Sequence, residues 1–394
     1  MSNRKPHILL FPSSYPTSHS PVKGVFYREQ AEALRQVGLE VGVVYPDNRS
    51  LRDLGPSALL ENHWQVTGQE EEGIPTVRLH GWNIPFNWLR GKMLTRQYQE
   101  LFTRYVDAFG RPDLIHSHGA LWGGASARTI SEQTGIPFVH TEHTSGYARD
   151  LFCAWEINKV SDILSGSEAV ISVSKFLSKS IKSRVGVEDV RVIPNMVDTS
   201  YFTIPSASRN GNPFIFLTVA ILNSNKGIDT LVKSFCREWK GQKGVRLEIG
   251  GTGPCESELK DLVGKLEIED QVFFLGRLSR KEVRERMWKA NAFILPSYVE
   301  TFGVVVIEAM STGLPVIATR SGGPEEIVTN EVGWLTEPGE IEELGGAMRR
   351  AYEAGDELDK REKKIRRIVK KNYSRKEISG QLTKVYEEAL EKNK

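Results

Sequence analysis

Two glutamates eight positions apart, Glu300 and Glu308, carry the strongest chemical signal in the chain. Ionised carboxylates only accept hydrogen bonds, so a pair at this spacing suits hydroxyl groups at two ends of one ligand. Glu300 stands in Ser297-Tyr298-Val299-Glu300-Thr301-Phe302-Gly303, which continues as Val304-Val305-Val306-Ile307-Glu308. The apolar run Ala292 to Leu295, closed by Pro296, comes just before. That order reads as a buried strand, a turn, and a helix opening near Gly303 and ending by Gly313. A strand-to-helix turn presents free backbone N–H groups, which with the helix dipole make an anion site suited to a diphosphate. Sugar hydroxyls, a diphosphate and ribose hydroxyls in a row describe a sugar nucleotide. The same residues admit a plainer reading. Ser297-x-x-Glu300 is also a capping box, Glu308 a solvated helix residue, and Val304 to Ile307 a β-branched run able to form a strand.

The elements that would position these residues need room for more than one core. A chain of 394 residues suits two domains. Lys plus Arg number 52 against 50 Asp plus Glu, so bulk charge gives no support for a polyanion-binding protein. Three cysteines (Cys153, Cys236, Cys255), with no CxxC and no cysteine–histidine ligand spacing, argue for a reducing compartment and against structural zinc. The run Ile8 to Phe11 is too short for a signal-peptide core, and no apolar stretch approaches membrane-spanning length. The expectation is a soluble cytoplasmic protein, with peripheral membrane attachment left open.

In chain order, His7 to Phe11 reads as a strand. A loop, Pro12 to Lys23, leads through Gly24 to a helix ended by Gly38, and Glu40 to Tyr45 reads as the second strand. This βαβ opening predicts a parallel sheet. It lacks G-x-G-x-x-G, so it is no standard dinucleotide fingerprint. Glu70-Glu71-Glu72 before Gly73 marks a hairpin or loop edge. The helix from about Asn83 to Phe109 mixes Trp88, Tyr98, Phe102 and Tyr105 with Arg90, Lys92, Arg96 and Arg104. That mixture suits a core helix with a solvated face, or one that meets a membrane or an acceptor. Asp113 to His118 and Pro137 to His143 each read as a strand ending in histidine, and ligands of open parallel sheets bind at those ends. His118 and His143 make no persuasive zinc pair, since no third ligand has recognisable spacing. Phe214 to Val219, Val245 to Ile249 and Val272 to Leu275 are further strands. Gly253, in the loop after the second of these, either admits a nucleotide backbone-close or makes a tight turn. The basic run Lys360 to Lys371 has Ile365, Ile368 and Val369 at helical spacing. It lacks stacking aromatics, so it reads as an amphipathic helix rather than a nucleic-acid patch.

Together, E-T-F-G-x-x-x-x-E, Gly313-Leu314-Pro315-Val316-Ile317-Ala318-Thr319 and Gly322-Gly323-Pro324-Glu325-Glu326 closely resemble the retaining glycosyltransferases of family 4. Asp113 to Gly119, Arg191 to Asp198 and Ala220 to Gly227 resemble further family segments, so the likeness covers nearly the whole chain. It implies an α/β, GT-B architecture: two Rossmann-like α/β/α domains facing across a cleft. The expected division is 1–200 for the acceptor, a linker over 201–212, 213–375 for the nucleotide sugar, and a helix over 376–394 crossing back to the first domain.

The resemblance also implies roles. His118, Glu300 and Lys226 would be catalytic: His118 facing the donor sugar, Glu300 orienting it, Lys226 stabilising the departing diphosphate. Donor binding would fall to Gly24, Gly253, Arg277, Thr301, Phe302, Gly303, Val304 and Glu308, with Glu308 on the ribose. His143 would serve the acceptor, a glycan or a lipid-linked glycan of the bacterial envelope and exopolysaccharide kind. A UDP- or GDP-sugar is the expected co-substrate, with retention at the anomeric carbon, no metal and no other cofactor. The chain departs from the pattern where Ile221 replaces an arginine that normally joins Lys226 at the diphosphate, and Arg277 is one residue that could stand in. Met196 replaces a glycine at the domain junction. An epimerase or hydrolase of sugar nucleotides on the same fold is one rival reading, and a non-catalytic nucleotide- or glycan-binding partner is another.

Overall fold

The computed structural model describes residues 5–393 apart from 52–53, 85–86, 207–208, 210–211 and 356, and excludes the side chains of 87, 88 and 359. Pro85, Phe86 and the Trp88 side chain of the aromatic–basic stretch lie outside the described residues, as do four positions of the expected linker. The chain forms two compact units. One comprises Met1–Val173, Leu177–Pro194 and Ile378–Lys394, and the other Ser174–Phe176 and Asn195–Glu377.

The first unit is built on an eight-stranded sheet. Its strands are β1 (His7–Phe11), β2 (Glu40–Arg49), β3 (Gln65–Glu71), β4 (Ile74–Trp82), β5 (Leu114–His118), β6 (Phe138–Glu142), β7 (Ala169–Ser172) and β8 (Val190–Val192). Their order is β3-β4-β2-β1-β5-β6-β7-β8. All pairs are parallel except the edge hairpin of β3 and β4. Every residue of β1 and of β5 is buried, as expected where helices cover both faces and the apolar pattern runs on without alternating. The acidic cluster ends in a two-residue turn, Glu72 (φ 51°) and Gly73 (φ 79°), whose handedness matches strand twist. The helix Asn87–Phe109 is a core helix: Tyr98, Leu101 and Tyr105 are buried and Tyr105 Oη lies 2.7 Å from His7 Nε2. Residues from Ile378 onward in the helix Arg375–Glu391 belong to this unit, burying Leu382, Val385, Tyr386 and Ala389.

The second unit holds a six-stranded sheet in the order β11-β10-β9-β12-β13-β14, parallel throughout. The strands are β9 (Phe214–Val219), β10 (Val245–Gly250), β11 (Val272–Gly276), β12 (Ala292–Leu295), β13 (Val316–Thr319) and β14 (Gly333–Thr336). The helix Ile228–Trp239 buries Leu231, Phe235 and Trp239 in the core with Phe216 and Leu247. The basic run lies in the helix Glu357–Asn372, which buries Ile365 and Val369 and turns Lys363, Lys364 and Arg367 outward. No described helix is long and apolar enough to cross a membrane.

Both sheets reverse their winding at the first strand. β1 has β2 on one side and β5 on the other, and β9 has β10 on one side and β12 on the other. Loops leaving such a pair of strands diverge in opposite directions, and the crevice between them is where open α/β sheets bind ligands.

Candidate active site

In the second unit, the loops after β9 and β12 are stitched together. Asn225 donates from its side-chain amide to the Val299 carbonyl (2.8 Å) and its own carbonyl accepts the Tyr298 N–H (2.8 Å). This brings Lys226, at the end of the short turn Ser224–Lys226, to Glu300, with Nζ 2.6 Å from Oε2. The two side chains are 22% and 15% exposed, open enough for a ligand and dry enough for their charges to count. Glu300 Oε1 accepts the Thr301 N–H at 3.1 Å. The capping-box reading fails here: the next helix starts from Gly303, the Ser297 hydroxyl has no hydrogen-bond partner among the described residues, and the Glu300 N–H donates to the Ser321 carbonyl.

The helix Val304–Ser311 then begins from Gly303, left-handed at φ 91°, with Phe302 buried beneath the turn. The β-branched run is helical because its faces pack inward: Val306, Ile307, Ala309 and Met310 are all buried. Thr301, Phe302, Gly303 and Val304 thus form one helix entrance, whose first N–H groups have no intrahelical acceptor. Glu308 sits farther along this helix, 12% exposed, and Arg280 Nη1 reaches its Oε1 at 3.3 Å. The Arg280 guanidinium also lies over the Phe202 ring, 4.9 Å from its centroid. Arg280 is a residue that sequence reasoning missed. It opens the helix Arg280–Lys289 behind the capping box Ser279/Glu282, and so looked like an ordinary surface helix start. Arg277 is exposed after β11 and makes no described contact with Lys226, Glu300 or Glu308. Ile221, 67% exposed, leaves the loop beside Lys226 without a second cation at that position.

Gly253 holds this loop from behind. A β-carbon there would stand 2.3 Å from the Leu222 carbonyl oxygen and 2.6 Å from its nitrogen. Gly253→Ala is therefore expected to cost about 1–3 kcal/mol of stability, read as a lowered Tm, because backbone rather than a pliable side chain must move.

In the first unit, the loops after β1, β5 and β6 enclose a cavity of about 380 Å³ lined by Tyr27, Trp122, Glu142, His143, Tyr147 and Phe152, among others. Gly24 caps the helix Val25–Gln36 at φ 74°, and a β-carbon on it would meet the Ser14 carbonyl at 2.4 Å. Its visible role is to let that helix start against the β1 loop, so that Tyr27 reaches Ser13, Oη to Oγ 2.8 Å. His118 and His143 come together, Nδ1 to Nε2 at 3.1 Å, with the Tyr27 ring beside both. Burial drives the His118 pKa well below the usual imidazole value, aided by His116 and His143. Burial likewise lowers His143 to about 4, with the nearby Glu142 opposing. Both rings are neutral at pH 7, so a single N–H lies between them and the tautomer of one sets that of the other.

Glu142 organises the cavity wall, a role the sequence did not disclose. Its carboxylate accepts from Ala120 N (3.1 Å), His143 N (2.8 Å), Thr144 N (3.1 Å) and Tyr147 Oη (3.1 Å). Burial alone would raise its pKa; the His140 ring and the Thr144 and His143 N–H groups more than offset that and hold it at about 2. Among the described residues, no group of three or more His, Cys, Asp or Glu is placed to hold a metal ion.

Comparison with known proteins identifies the family and the fold. The family described as "Glycosyltransferase Family 4" matches residues 24–201, and "Glycosyl transferases group 1" matches residues 202–372. A human phosphatidylinositol N-acetylglucosaminyltransferase subunit is 28% identical over 291 residues, 72% of this chain but 59% of that protein's length. The putative teichuronic acid biosynthesis glycosyltransferase TuaC of Bacillus subtilis (strain 168) is 27% identical over 372 residues, 87% of this chain and 88% of that one. Among solved structures, sucrose-phosphate synthase from Thermosynechococcus elongatus superposes with TM-score 0.77 at 22% identity, covering 98% of this chain and 100% of that one. Anabaena HepE in complex with UDP gives 0.74 at 20%, covering 97% and 99%. At such identities the structural likeness speaks to fold, which is GT-B.

Proposed function

We propose that this chain, which belongs to the glycosyltransferases, with a family 4 first half and a group 1 second half, is a retaining hexosyl- or N-acetylhexosaminyltransferase using a UDP- or GDP-sugar. The observation that carries this reading is the Lys226–Glu300 pair at the winding reversal of the second sheet, one helix entrance away from Glu308. Glu308, braced by Arg280, would accept from ribose hydroxyls. Glu300 and the backbone around Thr301 to Gly303 would orient the sugar. Lys226 would take up charge on the leaving diphosphate, the kind of electrostatic support that dominates such steps.

In the proposed reaction an acceptor hydroxyl oxygen bonds to the anomeric carbon on the face the diphosphate leaves. The anomeric C–O bond breaks with its electron pair going to the diphosphate, and that oxygen takes the hydroxyl proton. Neither a protein nucleophile nor a metal is called for. The relatives support a glycan or lipid acceptor by their names: one acts on phosphatidylinositol, another in teichuronic acid synthesis. A cytoplasmic protein, with peripheral contact at the membrane's inner face and a role in envelope or exopolysaccharide synthesis, fits that reading.

Calorimetric titration with UDP, GDP, ADP and their common sugar conjugates, in EDTA, tests the assignment. One nucleotide family should bind, and Glu308→Ala should weaken it about 10- to 100-fold, the value of hydrogen bonds to a charged group. Unchanged affinity in that variant would overturn the ribose role. Ile221 favours one competing reading, a binding protein without turnover. Tight nucleotide binding with no transfer and no donor hydrolysis would establish it.

A further inference from the structure

The cavity of the first unit has a rim whose charge and exposure the proposed reaction does not use. Trp122 forms part of its wall, and the Arg90 guanidinium lies 5.3 Å from the Trp122 ring centroid. Lys159 reaches the same neighbourhood: a β-carbon placed on Gly91 would be 3.4 Å from the Trp122 ring and 3.8 Å from Lys159 Nζ. Neither cation has a carboxylate within ion-pair distance among the described residues. The acidic neighbours are engaged elsewhere: Asp162 with Arg128 (2.8 Å), Asp150 with Arg184 (2.9 Å), Glu156 with the Cys153 N–H (3.0 Å), and Glu142 with its four donors. Two uncompensated cations beside one aromatic wall are an anion site with an apolar neighbour.

Beyond those cations the surface turns apolar. Phe152 lines the cavity, while Leu151 before it and Trp155 after it are 59% and 54% exposed. Trp155 lies four residues before Lys159 in the helix Ala154–Ser165, so indole and ammonium share one face. Phe152 thus links the aromatic cavity to exposed Leu151, and the shared helix face links Lys159 to exposed Trp155. A tryptophan beside a basic residue is the pairing found where apolar chains meet a charged interface.

We propose that this face takes the acceptor, and that the acceptor is a sugar joined through phosphate to a lipid chain. The C–H face of its sugar ring packs on Trp122 and Phe152. Its phosphate sits between Arg90 and Lys159, and its chain leaves over Leu151 and Trp155. This rests on the transferase reading and narrows it to one acceptor class.

The test is calorimetric titration with farnesyl diphosphate, inorganic diphosphate and N-acetylglucosamine 1-phosphate, with whichever of UDP and GDP binds held saturating so that the donor site is occupied. Farnesyl diphosphate is expected to bind at least about tenfold more tightly than either soluble phosphate. Lys159→Ser and Arg90→Ser together should weaken it about tenfold or more, the worth of charge-assisted contacts. Trp155→Ser, on an exposed position that leaves the fold alone, should bring farnesyl diphosphate down toward inorganic diphosphate. Equal affinity for farnesyl diphosphate and the soluble phosphates would overturn the lipid assignment, and indifference to the Lys159/Arg90 change would overturn the phosphate site. No binding of any of the three, with the nucleotide still bound, would overturn the proposal while leaving the donor site intact. Failure of both UDP and GDP to bind would instead strike at the transferase reading.

Discussion

Lys226→Ala is expected to lower kcat about 10²- to 10³-fold, the usual consequence of removing one preorganised group from a developing anion. The contact that motivates this is the 2.6 Å pair with Glu300, made by two side chains that are mostly shielded from water. Ile221 leaves no arginine at the neighbouring position to share the load. If Lys226 acts on the departing diphosphate, kcat and kcat/KM should fall together, because the charge it meets grows only as the bond breaks. A rise in KM with kcat preserved would mean that the lysine merely binds the donor. Glu300→Gln separates the two halves of the pair: it keeps the shape, removes the charge and leaves Lys226 in place. Steady-state turnover of the donor sugar, by transfer or by hydrolysis, measures both variants. Their double variant should show less than the product of the single effects, since both act through one contact.

The second large effect is on stability in acid. His116, His118 and His143 are all held neutral by burial, with pKa values below the ordinary imidazole value. The unfolded chain binds protons on these rings once the pH drops below about 6.5, and the folded chain does not until far lower. Acid therefore draws the chain toward the unfolded state, so stability is intact above pH 6.5 and declines below it. For His143 the depression from 6.5 to about 4 corresponds to about 3 kcal/mol lost across that window. Glu142 adds to the loss lower down. Its carboxylate, held at about 2 against an ordinary 4.5, gives stability present above pH 4.5 and surrendered between there and pH 2. Urea unfolding at fixed ionic strength, followed through the histidine ring proton signals, should show the midpoint of the first unit dropping between pH 6.5 and 4.5. A midpoint constant over that range would contradict the buried neutral cluster.

How much of this was legible beforehand depends on how local each feature is. The strand–turn–helix around Glu300 could be read because Pro296, Gly303 and Gly313 punctuate it and its apolar run is short. The β1 and β2 opening was likewise visible in its neighbours. Features made by contact between distant residues were not. His118 and His143 each close a strand of their own, and only the adjacency of β5 and β6 puts their rings at 3.1 Å. Glu142 reads as a polar residue at a strand end until the Ala120 and Tyr147 donors are folded around it. Arg280 was hidden by a capping box that gives it a sufficient local reason to be polar. Arg277, offered by the sequence as one residue that could stand in for the missing arginine, is exposed and makes no described contact with Lys226 or Glu300. The aromatic–basic helix was ambiguous because its buried face, Tyr98 and Tyr105, carries the hydroxyl-bearing aromatics that also suit an interface.

One property of the first unit bears on how the protein comes into being. Its interior includes Tyr386, whose hydroxyl lies 2.7 Å from His116 Nδ1, 270 residues away along the chain. Between its two main portions the chain makes nearly all of the second unit, residues 195–377. A ribosome that releases residues from the amino end thus presents a complete second sheet before the first unit has its last helix. Until residues 378–394 emerge, the nascent first unit exposes the apolar surface that Leu382, Val385 and Tyr386 later cover, and His116 waits for its hydroxyl. The first unit is started before the second, yet the second is the one that can be finished early.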